Sequence, residues 1–511
     1  MDFKKSFFKQ FLCIFFVFFV AIALRLYQFL NYFEWFSPRY DVNFLETLHL
    51  DRLDESYHRW FIDVLTLKNN FYYSDFKPIS NLAIVWLPGF QYSSLFLMFL
   101  LKNESILVPR IFNLIVGSLT CIIVYAVCLR LYNNEIWPAL VGGLVLAFQP
   151  WHIDYSINGT SEVLLGFLIM LVIYYFLQGK TNLFSVFSFL AMLIDYPSWI
   201  IIAFLILIGI YCKKWKLISK PFLAFLSILV IWSLWSFVNT GNPIAWITSY
   251  AFSVGWKLKF DLKVLPFYFL IALSITTLLF YLGLFFGTIH SHETRIFSAL
   301  LICYTVVYSL AHALGLDLGD ISRLIPMMPI LALIIPSALP KFSGSLKRKS
   351  LIGIALLLLL FIPYSFQVYI GPAKSYMIMP EYRAGLKLKE FYEGGRILCD
   401  SPAIAYHSGL SIDSFLSFEK LFWYSKNKTQ EKLKVWLKQN NVTILVWHNA
   451  TFSMAPKLFP ELNKGGTQYY DGVTLTLLYE DSKRTWKIPE LNHWEHAYDA
   501  PDILIYKVEY S

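Results

Sequence analysis

The sequence predicts a polytopic α-helical membrane protein, with about eleven transmembrane helices, followed by a small extracytoplasmic α/β domain. Three observations lead there. Of the 511 residues, 57% are hydrophobic and only 15% are charged, against about 25% in an ordinary soluble domain. Apolar runs near the ~20 residues that cross a bilayer recur from Phe7 to about Ile370. After Gly371 the pattern changes to the short alternating runs of a sheet domain.

Expected spans cover 7–30, 108–131, 136–152, 161–178, 183–195, 198–212, 219–237, 265–288, 296–314, 324–340 and 350–370. The first apolar run is too long for a signal peptide and no small-residue cleavage site closes it, so an uncleaved span with a cytoplasmic N-terminus is expected. Residues 82–101 either cross or lie flat, interrupted at Pro88-Gly89. Residues 183–212 form one long span or two short ones turning at Asp195-Tyr196-Pro197. The two-span alternative is preferred, because a single span would bury Asp195 near its centre, which is costly.

The net charge of +9 reflects topology rather than nucleic-acid binding. The basic residues gather in short loops, such as KKWK at 213–216 and KFSGSLKRK at 341–349, as cytoplasmic loops do. With Arg130, Lys180 and these loops inside, the outer face receives the long loop 31–107, loop 153–160, the Asp195 turn, loops 238–264 and 315–323, and the tail. All five N-x-[ST] sequons, at Asn103, Asn158, Asn427, Asn441 and Asn449, then lie outside. Five cysteines sit in or beside spans and only Cys399 lies in the tail, so the tail forms no internal disulfide.

Within 371–511, RILCD (396–400) and VTILVWHN (442–449) read as buried strands around the amphipathic helix TQEKLKVWLKQNN (429–441). TLTLLYED (474–481) and ILIYKVE (503–509) read as later strands. No Gly-rich phosphate loop occurs there. A docking role, an acceptor-recognition role and a structural lid all stay open for this domain.

The chemistry-bearing residues lie in the outer loops. LDRLDESYHRWF (50–61) places Asp54, Glu55, His58 and Arg59 together; on a helix, Asp54 and His58 are i,i+4 neighbours, as are Glu55 and Arg59. The plain structural reading is a surface helix with two ion pairs. Other polar residues expected at the same membrane level weigh against it: Arg323 with Asp317 and Asp320, Glu162 with His152 and Asp154, then Asp195 and Arg110. An arginine grips a phosphate through its planar fork of donors. A carboxylate at the same depth can serve as general base. Together they suit transfer of a group from a lipid phosphate to a hydroxyl.

In order and spacing, LDESYHRWF, LPGFQYSSLFLMFL with VPRIFNLIVGSLTCIIVYAVCLRLY, AFQPWHIDYSINGTSEVLLGFLIMLVIYYF and SRLIPMMPILALIIPSAL resemble the blocks of the GT-C superfamily. These membrane glycosyltransferases use dolichyl- or polyprenyl-phosphate sugars, and the protein O-mannosyltransferases and aminoarabinose transferases are members. The resemblance implies a GT-C-like catalytic domain over 1–370, with Asp54 as general base and Glu55 as its acidic companion. It implies Arg323 as ligand of the donor phosphate and Glu162 as a weaker candidate for the acceptor or for site organisation. His58 and Arg59 complete the substrate-binding candidates. DESYHRWFIDVL also resembles a stretch of the oligosaccharyltransferase catalytic subunit. No W-W-D-x-G motif follows, however, and Thr160 stands where that family's acidic partner of Glu162 would be.

The activity the resemblance implies is inverting transfer of a single sugar, with mannose the expected one, from a polyprenyl- or dolichyl-phosphate carrier to a glycan, lipid or protein hydroxyl on the outer face. No cofactor is expected; a divalent metal is the disfavoured alternative, since no Cys/His metal spacing is found. The expected partners are the lipid-phosphate donor, the acceptor and membrane lipid, not nucleic acid. A transporter or flippase for lipid-linked or small solutes is the alternative from another class, although no internal repeat is visible and the notable charges lie at the surface. A non-catalytic scaffold acting through the tail is the third reading.

Overall fold

The computed structural model describes residues 2–40, 87, 89–103, 105–240, 242–244, 263, 265–266, 269–270, 272, 279–314, 321–338, 379–418, 431–449, 453, 455–470, 472–481 and 503–510. They fall into two compact units, a helical one and a sheet one, described in turn. The expected span 350–370, the basic loop 341–349 and most of loop 31–107 lie outside the described residues.

The helical unit begins with α1 (Asp2–Tyr40). It continues through the first turn of α2 (Gly89–Leu101, this unit taking its residues to Ser93), α3 (Leu107–Leu131), α4 (Ile136–Ala147), α5 (Pro150–Ser156), α6 (Ser161–Gln178), α7 (Thr181–Ile194), α8 (Pro197–Tyr211), α9 (Trp215–Thr240), α10 (Leu279–His290) and α11 (His292–Ala313). The last described piece is a 3-10 turn at Ile321–Met327, α12 (Met328–Ile334) and a second 3-10 turn at Ile335–Ala338. Among the described residues, five helices are long and apolar enough to cross a membrane, or six if the bent pair α4–α5 is one span. The chain is an integral membrane protein.

Several expected spans take a different form, each for a local reason. The expected span 136–152 breaks: α4 ends at Ala147, and α5 sets off at 60° to it. Pro150 has no N–H to extend the ladder, and the Gln149 side chain instead caps Trp151 N–H at 3.0 Å. Residues 153–156, expected in a loop, therefore complete α5, and all seven residues of that helix are buried. Of the expected span 324–340, the described residues 324–338 form 3-10 and α pieces in which Pro326, Pro329 and Pro336 interrupt the ladder. In 82–101 the described helix starts at Gly89, and its 13 residues rise only about 20 Å, short of a bilayer core. Gly89 is needed there, because a Cβ would lie 2.6 Å from the Leu193 carbonyl.

Residues 183–212 form two helices that double back. Thr181 at the start of α7 donates to the Lys216 carbonyl at 3.1 Å, and Lys220 donates to Asn182 at 2.6 Å. Gly209, near the end of α8, meets Ile218 of α9. Both outer ends of the pair thus meet the start of α9, while its turn at Asp195-Tyr196 reaches Trp232, whose indole donates to the Tyr196 hydroxyl at 2.8 Å. Exposed Lys180, Lys213, Lys214 and Lys216 mark one end of this part of the bundle, and Asp195 marks the other.

The sheet unit holds α13 (Met379–Phe391), β1 (Arg396–Leu398), α14 (Pro402–Ser408), β2 (Phe415–Leu416), α15 (Glu431–Gln439), β3 (Val442–His448), α16 (Ala455–Leu458), β4 (Gln468–Tyr470), β5 (Val473–Asp481) and β6 (Ile503–Tyr510). Strand order is β2-β1-β3-β6-β5-β4. The first three are parallel, and β6, β5 and β4 are antiparallel additions. Alternation sorts the core into two faces. Ile397, Cys399, Ile444, Val446, Ile503 and Ile505 pack on α13 and α14, while Leu398, Leu445, Trp447, Leu504 and Tyr506 pack with Trp436 and Leu437 of α15. Asp400, buried just after β1, accepts from Ser417 Oγ and Phe418 N, both at 2.9 Å, tying the ends of β1 and β2. Arg383 of α13 clamps Asp481 of β5 through two hydrogen bonds of 2.7 Å.

Candidate active site

The site-bearing end of the helical unit is assembled by chain direction. α3 and α6 both start there. Asn113, near the start of α3, donates from Nδ2 to the carbonyls of Asn158 and Thr160, each at 2.6 Å. Thr160 is the residue on which α6 begins, and Glu162 lies in its first turn. Gly166, one turn on, packs against Pro326 and Pro329. One turn before Pro326 the 3-10 segment carries Arg323. The starts of α6 and of the Arg323 segment therefore lie side by side.

Arg323 Nη1 faces Asp195 Oδ2 at 3.4 Å, with 13% and 4% of the two side chains exposed. The other oxygen, Asp195 Oδ1, accepts from Tyr196 N–H at 2.7 Å. Behind the arginine, the buried Tyr304 hydroxyl of α11 donates to the Arg323 carbonyl, and Tyr308 packs on the Tyr304 ring at 4.7 Å. A cation is thus fixed at the end of the bundle with the Asp195 carboxylate beside it. That arrangement suits an anionic ligand, because the guanidinium fork offers parallel donors and its carboxylate neighbour restricts its orientation.

Arg110, grouped with these residues by sequence, is used differently. Its guanidinium Nε donates to the Ile157 carbonyl at 2.9 Å, its Cζ lies 5.1 Å from the Phe29 ring centroid, and only 3% of it is exposed. It holds backbone. Asn158, expected as an outer-face sequon, is 1% exposed and donates to the Asp154 carbonyl at 2.7 Å. That asparagine is a structural residue of the α5–α6 turn, whereas Asn103 and Asn441 are exposed. His152 does not join Glu162; it is buried with Arg25.

Asp54, Glu55, His58 and Arg59 lie outside the described residues, as do Asp317 and Asp320. Among the described residues, no group of three His, Cys, Asp or Glu side chains is arranged to hold a metal ion. The residues that sequence reasoning passed over are Arg25, Asn113 and Gly117. Arg25 had a visible signal, a charge inside the apolar run 7–30, and Gly117 another, a glycine within an expected helix. Asn113 had none, since a lone amide in a span reads as core.

No family model matches the sequence, and no curated protein matches it. Solved structures do match. The apo oligosaccharyltransferase of Archaeoglobus fulgidus is similar with a TM-score of 0.57 at 11% identity, over 98% of this chain and 88% of that one. ArnT from Cupriavidus metallidurans bound to undecaprenyl phosphate is similar with a TM-score of 0.57 at 11% identity, over 95% and 97%. The Archaeoglobus fulgidus oligosaccharyltransferase AglB, in complex with an inhibitory peptide and a dolichol-phosphate, follows at 0.53 and 12% identity, over 87% and 70%. The chain shares the fold of these proteins over nearly its whole length.

Proposed function

We propose that the protein is a GT-C-type glycosyltransferase that moves a single sugar, mannose in this reading, from a polyprenyl- or dolichyl-phosphate to a hydroxyl acceptor at the outer membrane face. The observation that carries the reading is the pairing of Arg323 with Asp195 at the bundle end where α6 presents Glu162. Support comes from the shared fold, since one similar structure holds undecaprenyl phosphate and another a dolichol-phosphate.

In the reaction, the acceptor hydroxyl oxygen attacks the anomeric carbon as its proton passes to Asp54. The bond from that carbon to the phosphate oxygen breaks, and the electron pair leaves with the lipid phosphate. Attack from the face opposite the leaving group inverts the anomeric centre. Arg323 neutralises the charge that grows on the phosphate, an interaction stronger in the transition state than before it. Glu55 supports the base, while Glu162, His58 and Arg59 organise the acceptor. The Asp195 carboxylate keeps the guanidinium in place between turnovers. The N-terminus and the basic loops then face the cytoplasm, and the sheet unit lies outside. The site needs no cofactor in this reading.

Transfer of a whole glycan to asparagine is the second reading, favoured by the likeness to the archaeal oligosaccharyltransferase. The assay for both is purified protein with polyprenyl-phosphate carrying either a single sugar or a whole glycan, and candidate acceptors, followed by mass spectrometry. Release of lipid phosphate with an acceptor one hexose heavier is the expected result. A whole glycan on an asparagine peptide would establish the second reading instead, and no lipid-phosphate release from any donor would remove both.

A further inference from the structure

A buried cation lies well inside the bundle, away from Arg323. Arg25 of α1 is 0% exposed. Its guanidinium donates from Nη1 to the Ala21 carbonyl at 2.9 Å and from Nη2 to His152 Nδ1 at 2.6 Å, with Cys121 Sγ 3.8 Å away. None of these partners is a carboxylate. Arginine can only donate, so His152 Nδ1 accepts and the ring carries its hydrogen on Nε2. Arg25 and Gly117 meet closely: a Cβ on Gly117 would lie 3.1 Å from Arg25 Nε and 2.2 Å from Ser156 Oγ. Gly117 is ten residues into α3, about 15 Å from its start, so the cation sits well along that helix inside the bundle.

Stability alone is a poor reason for such a residue, because a well-packed apolar side chain in place of a buried ion is often neutral or stabilising. Geometry is the better one. Arg25 fixes His152 in the first half of α5, and the Ser156 hydroxyl donates back to the His152 carbonyl within the same helix. Beyond α5, Arg110 takes the Ile157 carbonyl and Asn113 those of Asn158 and Thr160. The whole stretch from His152 to Thr160 hangs on side chains of α1 and α3, and α6 with Glu162 follows at once.

The geometry points to Arg25 as a positioning residue that acts through His152 to set α5, and with it the start of α6 at the site. This rests on the transferase reading only for its catalytic consequence; the positioning itself has its own readout. A shift of about 1 Å at reacting groups is enough to lower a rate ~100-fold. The rest of the segment stays tied by Arg110 and Asn113, so a smaller loss is expected.

The test uses the full chain in proteoliposomes, with Cys13, Cys212 and Cys303 changed to serine and Ser161→Cys as probe; Ser161 is 0% exposed. Labelling of that cysteine by a membrane-impermeant maleimide is followed per folded molecule, with folded content read from the monodisperse peak on gel filtration. Transfer kcat and donor KM are measured for the same substitutions without the probe. His152→Leu is expected to raise the labelling rate and to lower kcat roughly tenfold with little change in KM. His152→Gln, which keeps an acceptor for Arg25, is expected to restore both. Arg25→Met is the second variant should His152→Leu not fold, with the same expectation. Labelling at the wild-type rate in the leucine and methionine variants overturns the inference, as does faster labelling with unchanged kcat. Should the wild type transfer nothing while labelling divides as expected, the positioning stands and the transferase reading falls.

Discussion

At the scale of single residues, the arginines show how position decides use. Arg110 is spent on a carbonyl and a ring, whereas Arg323 meets a carboxylate at the bundle end. Replacing Arg323 by alanine is expected to lower kcat about 100-fold or more, the scale of losing one donor from a charge-stabilising site. Lysine should recover part of it, as a point charge without the fork. Steady-state kinetics on purified protein check both. Tyr510 of the sheet unit gives a pH-dependent expectation. Burial pushes its hydroxyl up to about 12, and that hydroxyl donates to the Val442 carbonyl. The folded pKa lies above the unfolded value, so the contribution is complete below about pH 10. It is lost as pH rises toward 12, because only the unfolded chain ionises early. Hydrogen exchange of the β3 and β6 amides in the full chain should speed up over that window, and Tyr510→Phe should flatten the dependence. Of the proposed site residues, Arg323 and Glu162 stood out in the sequence because charge beside an apolar run is conspicuous. It did not foresee that Arg110 and Asn158 are buried, because burial depends on neighbours that no local pattern carries.

At the scale of elements, the long uninterrupted helices were legible nearly residue by residue. The expected span 161–178 is the helix Ser161–Gln178, and 108–131 is Leu107–Leu131. The Asp195 turn was legible too, since a carboxylate followed by Tyr196-Pro197 is poorly placed inside a span. The break after Ala147 was not, although Pro150 stood in view. An apolar count sees no bend, and the polar His152, Asp154 and Ser156 made the end of α5 read as a loop. Nor were the short strands β2 and β4, of two and three residues, which form only because a sheet already offers an edge. The α3–α5 approach yields a prediction of its own. Gly117→Ala gains about 1 kcal/mol of helix propensity at most, but its methyl would need the space of the Ser156 hydroxyl. Overpacking of this kind costs about 1–3 kcal/mol. A net loss is therefore expected, visible as a lowered thermal midpoint in detergent.

At the scale of the whole molecule, composition announced a membrane protein, and the described helices bear that out. Eleven spans remain an expectation, since the described residues hold five, or six with the bent pair. The proposed topology makes a plain prediction. A cysteine placed at Lys213 should react with an impermeant maleimide only after the membrane is opened, whereas one placed at the exposed Asn441 should react in intact cells. The reverse pattern would invert the orientation and remove Arg323 from the outer face. The central claim is that a lipid-linked sugar is transferred with Asp54 as base, and the most direct measurement is mass spectrometry of lipid- and protein-linked glycans. The material should come from a deletion strain carrying the wild type or an equally expressed Asp54→Asn. A general base contributes about 10²–10⁴ to a rate, so the expected result is a glycan one sugar shorter in the deletion strain, restored by the wild type and not by the mutant. Identical glycans from both complemented strains would contradict the account.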